Sequence, residues 1–212
     1  DFERSLVEVI CEHQHREVNE MQCVAVNSGT SALDVMLRAC AESTPKTCPA
    51  GYCMQVLVPR VTFVATSHVV MAQGMDVVVV DVDEDTGLMD VDALSSTLQY
   101  CSDVLAVIAV DLGGRLVDSS ALARVCRKHR IPLLIDAAHS VGARLPDEDV
   151  PMVAYSFHAL KNITTCGEGG AVLTYEKSQA ERVRELISHG HRGNDYVRFG
   201  FNYRLTAVQA VF

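Results

Sequence analysis

Short runs of apolar residues recur along the chain, and segments with helical periodicity lie between them. Several of these runs are continuously apolar, including residues 77–80 and 104–110. A strand buried on both faces loses the alternation of apolar and polar positions that marks a half-exposed strand. We therefore predict strands at residues 23–26, 56–58, 77–80, 104–110, 132–135 and 171–174.

The segments between these runs are long enough for helices and have the spacing of apolar residues that helices show. Helices are predicted at residues 31–41, 62–74, 90–98, 119–129 and 178–189, with a further outer helical element within 1–20. This alternation predicts an α/β fold with a mainly parallel central sheet covered by helices on both faces. Residues 1–212 are predicted to form one domain, interrupted by an inserted loop at 42–55 that contains two prolines and a glycine.

The two ends of the sequence suggest a fragment. The chain begins at Asp1 rather than at a methionine, and residues 205–212 begin an apolar helical pattern that has no stop signal. We therefore expect the natural protein to continue past Phe212.

The charge and cysteine content of the chain indicate which binding partners and which cellular compartment to expect. With 18 Lys and Arg against 27 Asp and Glu, the net charge of −9 disfavours nucleic acid and anionic lipid as partners. We expect neither a membrane helix, because no apolar run approaches the required length, nor a secretory leader. A cytoplasmic, soluble protein with reduced thiols is predicted. A zinc site at Cys40, Cys48 and Cys53 remains a minor alternative to the prediction of no metal.

Polar residues that directly follow the predicted strands are the candidates for chemistry, because ligands bind at the carboxyl ends of strands in α/β sheets. Residues 27–31, Asn-Ser-Gly-Thr-Ser, follow a strand and open a helix. Such a helix start offers N–H groups and hydroxyls to an anion. A plain helix cap with a turn glycine is the alternative.

Asp136 ends a buried apolar run and is followed by Ala-Ala-His139. A carboxylate in such a place is costly unless a cation or hydrogen bonds meet it, so a cationic partner is expected. A local helix cap and a metal pair with His139 stay open as alternatives.

Lys161 is flanked by apolar residues and precedes a glycine cluster at residues 167–170. Burial favours the neutral amine, and a neutral amine forms a Schiff base with an aldehyde. A solvated surface lysine is the alternative. For the polar and aromatic segment 200–204, composition alone does not decide between a functional loop and a loop that simply packs.

In this order, the four segments resemble the DegT/StrS-type sugar aminotransferases, which are pyridoxal-phosphate enzymes of fold type I. The resemblance covers nearly the whole chain and rests on residues 27–32, 58–59, 62–66, 81–83, 136–143, 156–158, 161–162, 167–171, 189–190 and 202–204. Each segment is common alone, but the ordered set is specific.

The resemblance implies a role for each matching residue. Lys161 would form the Schiff base with pyridoxal 5'-phosphate and then move protons, and Asp136 would face the pyridine nitrogen of the cofactor. The remaining positions implied for the cofactor are Gly29, Thr30 and Ser156 at the phosphate, Phe63 stacked on the ring, His139 beside the ring, and Asn202 at the phosphate of a neighbouring subunit. His189 and Arg204 are weaker candidates for substrate contacts.

The implied reaction moves an amino group from an amino acid, usually glutamate, to a keto sugar on a nucleotide carrier. A homodimer is implied because Asn202 would reach the neighbouring subunit. Members of the family end in a small C-terminal domain, and the resemblance implies that this domain is absent from these 212 residues. The alternatives are a catalytically incompetent cofactor-binding or regulatory relic of the family, or another fold-type-I pyridoxal-phosphate chemistry.

Overall fold

The fold is built on one seven-stranded sheet. The computed structural model describes residues 2–14, 21–44, 53–147 and 149–211. The strands of the sheet are β1 (Gln22–Val26), β2 (Gln55–Pro59), β3 (Asp76–Val80), β4 (Val104–Val110), β5 (Leu133–Asp136), β6 (Met152–Ser156) and β7 (Gly170–Thr174).

The strands lie in the order β1-β7-β6-β5-β4-β2-β3. Neighbouring strands from β3 to β6 are all parallel, whereas β7 is antiparallel to both β6 and β1. The carboxyl ends of β4, β5 and β6 therefore meet at one edge of the sheet. The polar residues that follow these strands are gathered there.

Six helices cover the sheet, and two separate cores show that both faces are buried. The helices are α1 (Phe2–Gln14), α2 (Gly29–Ser43), α3 (Val64–Ala72), α4 (Val91–Leu98), α5 (Ser119–His129) and α6 (Lys177–Leu186). Alternate residues of β4 enter different cores: Val107 packs with residues of α1, α4 and α5, whereas Ile108 packs with residues of α2, α3 and α6. This two-sided burial explains why β4 is apolar at all seven positions.

The predicted α/β fold and all six predicted strands are confirmed, as are the five predicted helices and the outer helical element, which is α1. One strand of the seven-stranded sheet was not predicted. Residues 152–156 form β6, whose five residues are all buried. The apolar run at residues 152–155 is as long as several runs from which strands were predicted, so the pattern could have indicated β6 as well.

Element boundaries differ from the predictions by up to three residues, as at the end of α6, which is Leu186 rather than residue 189. The inserted loop predicted at 42–55 is shorter, because α2 continues to Ser43 and β2 begins at Gln55; residues 45–52 lie outside the described part of the chain. The helical pattern predicted from residue 205 gives only a 3₁₀ turn, Gln209–Val211. Val208 and Val211 are exposed there, so no burial offsets the cost of nucleating a helix.

The remaining structural features bear on partners and metals. A two-stranded hairpin, β8 (His191–Arg192) with β9 (Asp195–Tyr196), follows α6. Within the described ranges, no helix has both the length and the apolar character needed to span a bilayer. Of the three cysteines of the zinc alternative, Cys40 is buried, Cys53 is exposed, and Cys48 lies outside the described residues.

Candidate active site

A pocket of about 500 Å³ opens at the carboxyl ends of β4, β5 and β6. The starts of α2 and α3 and the loop between β6 and β7 complete its wall. Its lining includes most of the residues that the sequence singled out, namely Gly29, Thr30, Phe63, Asp136, His139, Ser156 and Lys161. Ser28, Thr62, Leu112, His158, Leu160 and Glu168 line it as well.

Asp136 is the last residue of β5, and its side chain is buried, with 5% of the residue exposed. Thr66 donates a hydrogen bond to Asp136 Oδ2 at 3.0 Å, and the Ala138 N–H donates to Oδ1 at 3.1 Å. Burial raises the pKa of the Asp136 carboxyl; these two hydrogen bonds and the nearby His139 and Lys161 partly offset that rise. No ion pair to Asp136 is found among the described residues.

A second carboxylate, Asp111, follows β4 and lies beside Asp136, since its N–H donates to the Asp136 carbonyl at 3.0 Å. Asp111 is completely buried. Arg144 binds it with two nitrogens, Nε to Oδ2 and Nη2 to Oδ1, both at 3.0 Å. The Ser140 hydroxyl and the Val117 N–H complete its hydrogen bonds at 2.8 and 2.9 Å. The charge of Asp111 is therefore matched inside the protein.

Lys161 lies on the loop that joins the antiparallel strands β6 and β7. The base of this loop is closed by the Phe157 N–H, which donates to the Gly169 carbonyl at 2.8 Å, and the Lys161 N–H donates to the His158 carbonyl at 2.8 Å. The side chain of Lys161 is half-buried in the pocket. Burial lowers the pKa of the Lys161 ammonium, and the charge of Asp136 opposes part of that shift. A fraction of neutral amine is favoured as a result.

His139 comes three residues after Asp136 and lines the same pocket. Its Nδ1 accepts a hydrogen bond from the Gly113 N–H at 3.1 Å, so the neutral ring carries its proton on Nε2. Burial lowers the pKa of His139, and Lys161 lowers it further while Asp136 raises it. A neutral imidazole beside the carboxylate follows.

The start of α2 forms a cradle for an anion. Ser28 caps the helix, because its Oγ accepts a hydrogen bond from the Ser31 N–H at 3.0 Å. A Cβ at Gly29 would lie 2.6 Å from the Cβ of Ser156, so only glycine lets this turn approach β6 so closely. The helix start, Thr30 and Ser156 thus face one part of the pocket, and a helix N-terminus favours negative charge there.

Phe63 lies immediately before α3 and stands at the pocket with 69% of its residue surface exposed. A large apolar ring held in solvent at the mouth of a pocket offers a flat face to a planar ligand.

Three predicted residues lie elsewhere. His189, Asn202 and Arg204 are all exposed and do not line this pocket. Asn202 forms an isolated antiparallel β-bridge with Ser188, and Arg204 donates a hydrogen bond to the Ser188 hydroxyl at 2.7 Å. The sequence predicted that Asn202 serves a neighbouring subunit, and that role stays a prediction.

Thr66, His158 and Glu168 received no role from the sequence. Thr66 bonds Asp136 and also lies 2.7 Å from the hydroxyl of Thr62, one helical turn away. The spacing of these two threonines at the start of a helix was a signal that could have marked them. His158 and Glu168 belong to the same loop as Lys161, and this loop brings all three residues to the pocket.

The pocket has the donor set that pyridoxal phosphate requires. A buried carboxylate without an ion-pair partner among the described residues suits a protonated pyridine nitrogen, and an amine on the same pocket suits the aldehyde. The cradle that a Cβ at Gly29 would fill suits the phosphate. The residues present therefore fit this cofactor.

A comparison with known protein families matches nearly the whole chain. The family model for the DegT/DnrJ/EryC1/StrS aminotransferase family matches residues 2–212. The chain belongs to this family. The resemblance and the fold-type-I architecture predicted from the sequence are thereby confirmed.

Individual members of the DegT/DnrJ/EryC1/StrS family are similar at moderate identity. A UDP-4-amino-4,6-dideoxy-N-acetyl-beta-L-altrosamine transaminase of Campylobacter jejuni is 29% identical over 210 residues, which are 95% of this chain and 52% of that protein. The structure of S. venezuelae DesV in complex with a ketimine intermediate superposes with a TM-score of 0.83 at 27% identity, covering 100% of this chain and 54% of that one.

A third member of the family, DesI, was solved in the presence of its TDP-sugar product. It superposes with a TM-score of 0.79 at 28% identity and covers 99% of this chain and 50% of its own. The chain thus spans about half the length of the relatives it matches.

Proposed function

We propose that these residues form the large, cofactor-binding domain of a pyridoxal-phosphate-dependent aminotransferase. The amino group passes from an amino acid, glutamate, to a keto sugar carried on a nucleotide. The observation that carries the proposal is that Lys161 and Asp136 line one pocket beside the anion cradle at Gly29. The C. jejuni relative, named as a UDP-sugar transaminase, and DesI, solved with a TDP-sugar, support a nucleotide sugar as substrate.

When bound, pyridoxal phosphate supplies an aldehyde that carries the amino group and a ring that delocalises electrons. Lys161 holds the cofactor through its Nζ. Once freed by a substrate amine, the neutral Nζ would accept a proton from the substrate carbon and later return it. The lowered pKa of Lys161 favours the neutral form that this proton transfer needs.

Asp136 keeps a proton on the pyridine nitrogen by placing a negative charge against it. Thr66 and the Ala138 N–H hold the two carboxylate oxygens in place. The start of α2 with Thr30 and Ser156 would bind the phosphate, and Phe63 and His139, which line the same pocket, would contact the ring.

A homodimer would bring Asn202 of one subunit to the phosphate bound by the other. His189 and Arg204 would then contact substrate from the same surface, since both lie near Ser188 with Asn202. We place the reaction in the cytoplasm, because eight cysteines in 212 residues fall short of a disulfide scaffold.

Borohydride labelling tests the proposal. The full-length protein is incubated with pyridoxal phosphate, reduced with borohydride and digested, and the modified lysine is identified by mass spectrometry. We expect the label on Lys161, and its loss in Lys161→Ala with no transfer to Lys128 or Lys177. An unmodified Lys161 in folded, cofactor-treated protein would refute the proposal.

Glutamate then separates transamination from other chemistry of the same cofactor. Addition of L-glutamate without any acceptor should convert the bound cofactor to pyridoxamine phosphate, seen as bleaching of its visible band. A protein that binds the cofactor on Lys161 but fails this conversion would support the relic or another fold-type-I reaction.

A further inference from the structure

His158 and Glu168 line the pocket with Lys161, but the roles above leave both without a task. His158 lies two residues after the end of β6, and Glu168 lies two residues before the start of β7. Their side chains face one another, with Nε2 of His158 3.5 Å from Oε1 of Glu168.

The ring of His158 has a defined orientation. Its Nδ1 accepts a hydrogen bond from the Leu160 N–H at 3.2 Å, so the neutral ring carries its proton on Nε2. That nitrogen is the one nearest Glu168. His158 therefore presents a hydrogen-bond donor toward the carboxylate.

Glu168 is held by its backbone rather than by its side chain. Its carbonyl accepts hydrogen bonds from the Thr165 hydroxyl and from Gln209 Nε2, both at 2.8 Å. The next residue, Gly169, leaves no room for a Cβ, which would lie 2.7 Å from Thr165 Oγ1. These contacts brace the loop at Glu168, on the C-terminal side of the lysine.

The pair is open to a ligand. A distance of 3.5 Å exceeds the 2.7–3.2 Å of an ordinary N–H···O hydrogen bond. The side chains of His158 and Glu168 are 40% and 54% exposed, and exposed pairs of this kind contribute about 0–1 kcal/mol. Little interaction energy is therefore lost when the two side chains separate to admit a polar group.

We propose that His158 and Glu168 together bind a hydroxyl group of the sugar acceptor and so favour the sugar over the amino-acid donor. A hydroxyl accepts a hydrogen bond through its oxygen and donates one through its hydrogen. It therefore satisfies the Nε2–H of His158 and the carboxylate of Glu168 at once. This inference rests on the proposed function and specifies how the same pocket tells its two substrates apart.

The charge of Glu168 excludes the other candidates for this position. A carboxylate of a glutamate donor can accept from His158 but meets the negative charge of Glu168, which disfavours it. An ammonium group can donate to Glu168 but cannot accept from His158. Of these three groups, only the hydroxyl is complementary to both members of the pair.

The test compares two amines in the full-length protein loaded with pyridoxal phosphate. L-Glutamate and UDP-4-amino-4,6-dideoxy-N-acetyl-beta-L-altrosamine are mixed separately with the protein, and bleaching of the cofactor band gives a second-order rate constant for each. In Glu168→Gln we expect the constant for the sugar to fall about 10- to 100-fold, the range for a hydrogen bond to a charged group. The constant for L-glutamate should stay within about twofold or rise.

Binding without turnover provides an independent readout. After borohydride reduction the protein cannot react, and calorimetry measures the affinity for the sugar nucleotide directly. Glu168→Gln and His158→Gln should each weaken binding at least tenfold. Glu8→Gln, which removes a carboxylate from the exposed pair with Arg4 on α1, is the matched control and should change neither readout.

The results separate this inference from the proposed function. Equal losses for both amines, or no loss of sugar affinity in Glu168→Gln, would overturn the hydroxyl site while leaving the transaminase intact. A wild-type protein that reacts with L-glutamate but does not bind the sugar nucleotide would also overturn it. Failure of the wild type to react with either amine would instead refute the proposed function.

Discussion

Two buried aspartates, Asp111 and Asp136, stand at the carboxyl ends of neighbouring parallel strands and are joined by a backbone hydrogen bond. Asp111 is neutralised by two bonds from Arg144 and makes further hydrogen bonds to Ser140 and Val117. Among the described residues, the donors to Asp136 are neutral, namely Thr66 and the Ala138 N–H, and Asp136 opens into the pocket. The difference shows that a buried carboxylate marks a binding site when its charge is left unmatched, and not because it is buried.

The residues around Asp111 leave no room for a ligand, because Arg144 is itself fixed by further hydrogen bonds. Besides the carboxylate, Arg144 donates to the Val117 carbonyl and to the Ser119 hydroxyl, at 2.8 and 2.9 Å. Its carbonyl in turn accepts a hydrogen bond from the buried hydroxyl of Tyr155. This network fastens the segment after β5 to the start of α5, so Asp111 serves the fold that carries the site.

The largest effect should follow Asp111→Asn, measured as the free energy of unfolding in urea. The substitution leaves the guanidinium of Arg144 buried without its counter-charge, and breaking such a pair costs about 3–5 kcal/mol. In the same measurement on cofactor-free protein, Asp136→Asn should leave the unfolding free energy unchanged or raise it, because a buried charge is removed. Equal destabilisation by the two variants would contradict the distinction between the sites.

A slightly smaller effect is expected on catalysis for Asp136→Asn. Loss of the charge opposite the pyridine nitrogen should lower the rate of conversion by L-glutamate about 10²- to 10³-fold, the range seen when one preorganised electrostatic group is removed. Single-turnover bleaching of the cofactor band measures this rate. Folded Asp111→Asn protein, saturated with cofactor, should keep a rate within about tenfold of wild type, and a rate as low as that of Asp136→Asn would break the comparison.

The pH dependence of stability should separate the same two residues. Because burial raises the pKa of Asp136 above its ordinary value of 3.8, its protonated form favours the folded state at low pH. That contribution is lost as pH rises from the ordinary value through the raised one. In cofactor-free protein, Asp136→Asn should therefore flatten the fall in unfolding free energy over this window, whereas an unchanged profile would argue against a raised pKa.

A more modest effect is expected for Thr66→Val. This change removes the hydrogen bond to Asp136 Oδ2. It should weaken pyridoxal phosphate binding about 3- to 10-fold, which corresponds to the net contribution of one hydrogen bond. Thr66→Ser should restore affinity because it keeps the hydroxyl. Thr97→Val, which removes a hydroxyl bonded to a helix carbonyl in α4, is the matched control and should not change affinity.

The smallest effect concerns the titration of Lys161 in cofactor-free protein. Asp136 opposes the lowering of the Lys161 pKa by burial, so Asp136→Asn should move that pKa further down. The pH dependence of Lys161 acetylation, followed by mass spectrometry, should then shift its inflection to lower pH. Asp111→Asn should leave the inflection in place, and a shift upward in Asp136→Asn would contradict the assigned cause.

The sequence predicted the sheet well because burial on both faces leaves a direct pattern, as in β4. It located Asp136 and Lys161 because each follows or flanks an apolar run. It did not predict that Asp111 is neutralised, since Arg144 lies 33 residues further along the chain and meets it only in the folded protein. A strand-end carboxylate has the same local sequence signature whether a distant cation reaches it or not.

Other contacts in the site could not be predicted because they join residues that are distant in the sequence. The approach of Gly29 to Ser156 joins residues more than a hundred positions apart, and only the resemblance to a known family linked them beforehand. The pair of His158 and Glu168 depends on the return of the lysine loop to the sheet. By contrast, the helix expected from residue 205 was wrong because periodicity does not report whether a neighbour is present to bury it.

The central claim is that the unmatched charge of Asp136 holds a proton on the pyridine nitrogen of a cofactor bound to Lys161. Nitrogen-15 NMR of the full-length protein carrying pyridoxal phosphate labelled at that nitrogen measures it most directly. We predict a protonated ring nitrogen in wild type and in Asp111→Asn, and an unprotonated one in Asp136→Asn. An unprotonated nitrogen in wild type, or a protonated one that survives Asp136→Asn, would contradict the account.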